Sequence, residues 1–182
     1  MIIGVIGTLG AGKGTVASYI AKKKGFRHIS MSKIIRYEAK KLGYGMDRTS
    51  LQKVGNIFSK RKKGLSEKVL ERMAKYRVDD AVVEGIRIVP DIKRLKKAGK
   101  FVLLAVDAPI KVRYERILKR NNLQDKGVSF EDFKREDEKE LRGDWPGQQT
   151  GKCLKLADCK VVNAGTKKEL YNKIDKLLKK IA

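Results

Sequence analysis

The chain has 182 residues, of which 41% are hydrophobic, and this is enough to bury the core of one α/β domain but a tight fit for two. The longest apolar run, Phe101 to Val106, is far too short to cross a bilayer, and the first strand-like run begins at Ile2 with no signal peptide before it. We therefore expect a single domain over residues 1–182, located in the cytoplasm, with no membrane partner.

The charge of the chain is strongly positive. Lysine and arginine number 44 against 21 acidic residues, which gives a net charge of +23. Such a chain attracts polyanions, from nucleotides to nucleic acid. A solvated basic surface explains the excess equally well, and basic stretches interleaved with aromatic residues are not evident in the sequence. Nucleic acid is therefore a partner that charge alone suggests, and we do not favour it.

The first element of the chain is a strand, a glycine-rich loop and the start of a helix. The apolar run from Ile2 to Ile6 is followed by G-T-L-G-A-G-K-G-T. Glycine lets the backbone turn its N–H groups toward a phosphate, the next helix N-terminus adds partial positive charge, and the lysine adds a full one. The pattern predicts a P-loop that binds ATP through Gly7, Gly10, Ala11, Gly12, Lys13, Gly14 and Thr15.

The residue after Lys13 departs from the general P-loop pattern. A serine or threonine that binds magnesium usually follows the lysine, but here Gly14 follows and the hydroxyl comes at Thr15. We therefore expect Mg²⁺ to be held through ATP and water, with no metal ligand from the protein.

Strand-like and helix-like patterns alternate along the rest of the chain. Three helical stretches occupy residues 32–76, with Ser32 as the expected cap of the first, and residues 121–150 are polar and helical only over 129–141. The alternation predicts a parallel sheet with helices on both faces and ligands at the carboxyl ends of its strands. The predicted strands are residues 2–6, 26–30, 81–86, 101–107 and 160–162.

Several arginines follow the predicted strands. Phosphoryl transfer needs positive charge around the moving group more than it needs covalent help. Arg36 lies in the helix after the second strand, and Arg87 directly follows the third. Three more arginines lie at or beyond the helix after the fourth strand, at Arg116, Arg120 and Arg135.

Taken together, these residues resemble the nucleoside monophosphate kinases, adenylate kinase in particular, over nearly the whole chain. The loop G-K-G-T is usual in adenylate kinases, and Glu84-Gly85-Ile86-Arg87 is similar to their D-G-x-P-R turn, with Glu for Asp and without the proline. The segment from Ile29 to Arg36 looks like their acceptor-nucleotide segment. The resemblance implies a P-loop three-layer α/β/α fold with the strand order 2-3-1-4-5.

The same resemblance implies roles for the segments around the sheet. Residues 32–76 would form a helical acceptor-binding insertion, and residues 121–150 a short lid. The acceptor would be bound by Ser30, Ser32, Arg36, Glu84 and Arg87. Lys13 and Arg87 would act in transfer, and Arg120 and Arg135 would neutralise the transition state when the lid closes.

The C-terminal third is similar to a different set of enzymes. Gln149-x-x-Lys152, Leu156-Ala157-Asp158 and Val162-Asn163-x-Gly165 are similar to the end of dephospho-coenzyme A kinases. They are also similar to archaeal and bacterial proteins described only as related to adenylate or dephospho-CoA kinases. The likeness implies that Asn163 and Gly165 lie against the ATP adenine, and we place Arg116 with them.

The chemistry of the acceptor distinguishes a nucleoside monophosphate kinase from a dephospho-CoA kinase. A sugar hydroxyl profits from a general base, and dephospho-CoA kinases have an Asp just after the second strand. That place reads Ser30-Met31-Ser32-Lys33 here, without a carboxylate. We therefore expect an ATP-dependent nucleoside or deoxynucleoside monophosphate kinase, with AMP as the first acceptor to test. The alternatives are a dephospho-CoA kinase-like enzyme and, in another class, a basic RNA- or ribosome-associated ATPase.

Overall fold

A parallel β-sheet forms the centre of the protein. The computed structural model describes residues 1–61, 64–120, 127–143 and 149–181, without the side chain of Arg48. Within these residues five strands pair in parallel in the order β2-β3-β1-β4-β5, which confirms the predicted architecture. The strands are β1 Ile2–Ile6, β2 Arg27–Ser30, β3 Ala81–Glu84, β4 Phe101–Asp107 and β5 Cys159–Val162.

Helices cover both faces of this sheet. The helices are α1 Lys13–Lys24, α2 Met31–Lys41, α3 Arg48–Lys60, α4 Gly64–Lys75, α5 Val89–Lys97, α6 Ile110–Lys119, α7 Phe130–Arg142, α8 Thr150–Lys155 and α9 Lys167–Ile181. Successive strand residues point to opposite faces, so Ile2 and Ile6 pack under α2–α5 and α8, while Ile3 and Val5 pack under α1 and α9. Both faces are therefore apolar, and the strands are hydrophobic almost throughout.

Two local predictions are corrected by the structure. Helix α2 is capped by Ser30 and not by Ser32, because the extended backbone at the end of β2 turns directly into the helix and Ser30 Oγ accepts from the Lys33 N–H at 3.4 Å. Helix α8 was not predicted, since its six residues are too few to show a helical period.

A buried carboxylate fastens the α2–α4 segment to the rest of the domain. Asp91, in the first turn of α5, accepts the Ser66 N–H at 3.0 Å and so satisfies the start of α4. Asp91 is 2% exposed, and burial raises its pKa. The helices over the carboxyl edge of β2 and β3 are therefore held by a polar contact as well as by their apolar faces.

The predicted lid is described only in part. Residues 121–126 and 144–148 lie outside the described residues, and residues 127–143 contain α7. Over the described part of the chain, we find no helix with the length and apolar character that a bilayer span requires.

Glycine-to-alanine changes at two helical positions should have opposite effects on stability. A methyl group at Gly151 in α8 would collide with the carbonyl oxygen of Leu141, whereas at Gly55 in α3 the nearest atom is Ile35 Cδ1 at 3.7 Å. We expect Gly151→Ala to lower the free energy of unfolding by roughly 1–3 kcal/mol through steric strain. Gly55→Ala should raise it by roughly 0.5–1 kcal/mol, because alanine loses less conformational entropy in a helix. Urea unfolding of the two variants checks this, and equal effects would contradict it.

Candidate active site

The loop between β1 and α1 has a backbone that favours glycine at three positions. Gly7, Gly10 and Gly12 have φ values of 153°, 80° and 97°. A side chain at Gly10 would lie 2.6 Å from the Arg113 carbonyl oxygen, and one at Gly12 would collide with the amide nitrogen of Asn163. The glycine spacing therefore serves both the turn of the loop and the close approach of neighbouring elements.

Lys13 is held against this loop by the loop itself. Its Nζ donates to the carbonyl oxygens of Gly7 at 2.9 Å and Thr8 at 2.8 Å. The pKa of Lys13 is lowered to about 8, because burial and the charges of Arg87 and Arg120 outweigh the opposite effect of Glu140 and Glu84. The ammonium group is thus positioned at the loop and surrounded by the other charged groups of the site.

Asn163 braces the loop from β5. Its Nδ2 donates to the Ala11 carbonyl at 3.0 Å, its Oδ1 accepts from Arg116 Nη2 at 3.2 Å, and its backbone N–H donates to Asp107 at 2.7 Å. Asn163 is 6% exposed. The structure therefore brings the predicted residues Arg116 and Asn163 into contact. The oxygen and the nitrogen of the Asn163 side-chain amide are both hydrogen-bonded within the protein.

Gly165 has a structural explanation in the same turn. Thr166 and Glu169 form a reciprocal cap at the start of α9, in which the Thr166 N–H donates to Glu169 Oε2 at 2.8 Å and the Glu169 N–H donates to Thr166 Oγ1 at 3.2 Å. A side chain at Gly165 would collide with Glu169 Oε2. This exposed glycine makes room for the cap, and its predicted contact with adenine stays a prediction.

A buried ion pair, absent from our predicted site, supports the other side of the loop. Arg113 in α6 binds Asp137 in α7 through two contacts of 2.5 and 2.7 Å, and it also donates to Ala108 at 2.9 Å and to Leu9 at 3.3 Å. Both partners of the ion pair are buried. Arg113 therefore joins the loop to α7. The sequence feature that could have indicated this pair is the spacing of Asp137 and Glu140, which places both acids on one face of α7.

One cavity connects the loop with the residues predicted to bind the acceptor. Its volume is about 430 Å³, and it lies at the carboxyl ends of β1, β2 and β3. The predicted site residues that line it are Gly10, Gly12, Lys13, Gly14, Ser30, Ser32, Arg36, Glu84, Arg87 and Arg120. The predicted residues outside its lining are Gly7, Ala11, Thr15, Arg116, Arg135, Asn163 and Gly165.

Glu84 lies between the loop and the acceptor side of the cavity. The register of β2 and β3 places it beside Ser30, its Oε1 is 3.6 Å from His28 Nε2, and its Oε2 would lie 3.4 Å from a side chain at Gly14. Burial raises the pKa of Glu84, but His28, Ser30 and the charge of Lys13 outweigh it and hold the pKa below its ordinary value. Glu84 is therefore ionised at neutral pH.

Glu140 is a further cavity residue that the sequence analysis missed. It is 7% exposed, its Oε1 is 3.7 Å from Arg87 Nη1, and it accepts the Thr150 hydroxyl at 3.0 Å. Gln149 also donates its N–H to the Arg87 carbonyl at 2.7 Å, so Arg87 contacts α7 through its side chain and the residue before α8 through its backbone. The arginine predicted to grip phosphate thus has a carboxylate partner in this structure.

The two predicted lid arginines lie in different places. Arg120, at the end of α6, lines the cavity with Lys13. The Arg135 side chain is 71% exposed and pairs with Asp132 on the outer side of α7, while Asp137 and Glu140 of that helix point inward. The structure does not bring Arg135 to the cavity, and its action on phosphates stays a prediction for a closed lid.

Two buried polar atoms beside the loop bear on whether a nucleotide fits this site. The Thr8 hydroxyl and Arg116 Nη1 are buried without a hydrogen-bond partner in the described part of the chain. Such groups cost roughly 1–3 kcal/mol each unless a polar ligand meets them. They flank the glycine loop and Asn163, where phosphates and the rest of a nucleotide would contact the protein. Together with the glycine loop and Lys13, these groups suit a ligand that carries phosphate groups, as ATP does.

Comparison with known proteins places the chain in a family. A UPF0200 protein of Methanocaldococcus jannaschii is 32% identical over 188 aligned residues, which cover 100% of this chain and 90% of that one. The UPF0200 protein of Staphylothermus marinus is 32% identical and covers 99% and 92% of the two chains. The chain belongs to the UPF0200 family. The family model described as an AAA domain also matches residues 6–134.

Solved structures similar to this UPF0200 protein show its fold. Shikimate kinase from Acinetobacter baumannii, in complex with shikimate, has a TM-score of 0.63 and 18% identity, over 98% of this chain and 93% of that one. Shikimate kinase from Bacteroides thetaiotaomicron has a TM-score of 0.61 and 16% identity, over 100% and 98%. The shared feature is the P-loop α/β architecture.

The affinity for ATP should depend on the charge of Lys13. The ammonium group is charged below its pKa of about 8 and neutral above it. We therefore expect the Kd for ATP to rise roughly tenfold between about pH 7 and about pH 9, because each unit above the pKa removes about nine-tenths of the charged form. A Lys13→Arg variant stays charged and should bind ATP with little change over this range. Titration calorimetry measures both, and a flat profile for the unmodified protein would contradict the assignment.

Proposed function

We propose that this UPF0200 protein is an ATP-dependent kinase that transfers the γ-phosphate of ATP to the phosphate of a nucleoside or deoxynucleoside monophosphate. The observation that carries the proposal is the single cavity lined by Lys13 on the P-loop side and by Arg36, Arg87 and Arg120 around it. Two phosphate groups brought into this space would meet cations from the P-loop and from the elements around it, which is the surrounding charge that phosphoryl transfer requires.

In the proposed reaction, the loop and the residues beside it bind ATP, the phosphate donor. The backbone of Gly10 to Gly14 binds the phosphates, Lys13 holds the γ-phosphate, and Arg120 neutralises charge during transfer. Magnesium supplies positive charge to the phosphate oxygens when it is bound. The described residues contain no group of three or more His, Cys, Asp and Glu suited to a metal, and the ion is proposed to be held through ATP and water, next to the Glu84 carboxylate that faces Gly14.

Helix α3 supplies the support for a nucleotide as acceptor. Gln52, Asn56 and Ser59 recur at intervals of four and three residues, so they share one face of the helix, and all three line the cavity. Side-chain amides present a donor and an acceptor together, which suits the edge of a nucleobase. In the proposed complex these residues bind the base while Arg36 and Arg87 hold the acceptor phosphate.

Glu84 favours a second candidate function. The expectation of a phosphate acceptor rested on the lack of a carboxylate after β2, but the sheet register places the ionised Glu84 beside Ser30. A carboxylate there is suited to accept the proton of an attacking hydroxyl. An enzyme that phosphorylates a hydroxyl, as a dephospho-CoA kinase does, is therefore the alternative.

Phosphate transfer from Mg-ATP to a panel of acceptors distinguishes the two candidates. The panel contains the ribo- and deoxynucleoside monophosphates, dephospho-CoA, shikimate and a reaction without acceptor. Fast transfer to one or a few monophosphates is the expected result. Transfer only to dephospho-CoA or shikimate would favour the kinase that phosphorylates a hydroxyl group. ATP hydrolysis at the same rate with and without every acceptor would contradict both kinase hypotheses.

Two charge deletions in the cavity test the assignment of its residues. Lys13→Ala and Arg87→Ala should each lower turnover by at least about a hundredfold, because each removes a cation that stabilises the transferred phosphoryl group. Lys22→Ala and Arg142→Ala are matched controls, since both side chains are exposed and lie outside the cavity lining. Circular dichroism confirms folding, and near-normal turnover in either cavity variant would refute its proposed role.

A further inference from the structure

Four side chains form an alternating row of tyrosine and arginine on the side of the domain that carries α2 and α4. Arg72 Cζ lies 5.8 Å from the centre of the Tyr37 ring, and Arg27 Cζ lies 4.1 Å from the centre of the Tyr76 ring. Tyr76 follows Arg72 by one helical turn, with its N–H donating to the Arg72 carbonyl at 3.0 Å. We call these four residues the tyrosine–arginine row.

The two tyrosine rings of the row are exposed to solvent, although aromatic rings of this size are usually at least partly buried. Tyr37 is 60% exposed and Tyr76 is 48% exposed. Each ring has a guanidinium group over it and much of its remaining surface in water. Packing in the core therefore does not explain their positions, and a large exposed aromatic surface is typical of sites that bind a partner.

The row leads away from the cavity toward the opposite edge of the sheet. Arg27 begins β2 and donates its N–H to the Asp80 carbonyl at 3.1 Å, just before β3 starts. Tyr76 follows the end of α4, which returns the chain to that same edge. ATP on the P-loop lies at the carboxyl ends of the strands, so both sites can be occupied at once.

Further positive charge collects at this amino edge because of the fold. The helix that directly precedes each of β2, β3 and β4 runs back toward the amino ends of the sheet, so the last turns of α1, α4 and α5 lie at this edge. Helix α9 runs in the same direction as α1, since Tyr171 stacks on Tyr19 and Asp175 pairs with Lys23. The basic residues in these last turns are Lys22, Lys23 and Lys24 of α1, Arg72 and Lys75 of α4, Arg94, Lys96 and Lys97 of α5, and Lys179 and Lys180 of α9.

Favourable interaction with helix dipoles accounts for lysine at the end of any one helix. It does not account for exposed tyrosines with arginines over their rings in a row that leads to such a basic edge. Aromatic rings that stack bases, combined with cations that meet the backbone phosphates, are what a single-stranded nucleic acid requires. Phospholipid head groups would use the cations and leave the rings without a stacking partner.

We propose that the tyrosine–arginine row and the adjoining amino edge of this protein bind single-stranded nucleic acid, with bases stacked on Tyr37 and Tyr76 and phosphates held by Arg27, Arg72 and the neighbouring lysines. This site is separate from the kinase site and does not depend on the acceptor of that reaction. The excess of positive charge, which the sequence alone does not explain, is thereby assigned a location and a ligand.

Fluorescence anisotropy with labelled 12-nucleotide oligomers tests the proposal. The full protein should bind single-stranded RNA or DNA better than a duplex of the same sequence, and the affinity should fall steeply with salt. Tyr37→Ala and Tyr76→Ala should each weaken binding by about 5- to 100-fold, whereas Tyr37→Phe and Tyr76→Phe keep the stacking ring and should bind like the unmodified protein. Tyr44→Ala, which removes an exposed tyrosine outside the row, is the matched control and should have little effect.

Three outcomes would overturn the proposal. The first is equal binding by the alanine and phenylalanine variants, which would make the interaction purely electrostatic. The second is displacement of the oligomer by saturating ATP, or loss of binding in Lys13→Ala, which would place the nucleic acid at the P-loop. The third is sedimentation with anionic phospholipid vesicles without affinity for the oligomers. Unchanged ATP binding by the tyrosine variants excludes misfolding as the cause of a loss.

Discussion

The position of the glycine-rich loop depends on two side chains from the second half of the chain. Asn163 reaches it from the end of β5 and binds the Ala11 carbonyl, and Arg113 reaches it from α6 and binds the Leu9 carbonyl. Both approach so closely that Gly10 and Gly12 have no room for a side chain. The loop is therefore held in a phosphate-binding shape by its surroundings, and that lowers the cost of ordering it when a ligand arrives.

The positive charges of the cavity are partly offset by carboxylates before any phosphate enters it. Lys13, Arg87 and Arg120 would repel one another in a partly buried space, and Glu84 and Glu140 lie among them. A phosphate that enters must compete with Glu140 for Arg87. Exchange of one anionic partner for another leaves the arginine paired throughout, so the protein avoids an uncompensated buried charge at each stage.

The topology of the sheet separates the two surfaces to which we assign ligands. The carboxyl ends of the strands carry the loop and the cavity, while the amino ends receive the last turns of the returning helices. Because both sets of residues are cationic, net charge alone does not distinguish them. Their chemistry differs, since the cavity has carboxylates and amides around its arginines and the amino edge has exposed tyrosine rings.

The sequence by itself determined the P-loop and the five strands, and the family resemblance added the strand order, because glycine spacing, β-branched runs and helical periods act over a few neighbouring residues. The P-loop pattern, the arginines after the strands and the resemblance together named ten residues that line one cavity, and they lie together because the carboxyl ends of parallel strands meet at one edge. Only the tertiary structure decided which way a helical side chain faces. Arg135 points to solvent while Glu140, five residues later, points into the cavity, and the packing of α7 on α6 through Arg113 and Asp137 sets that rotation. The tyrosine–arginine row likewise joins β2, α2 and α4, so no local pattern could reveal it.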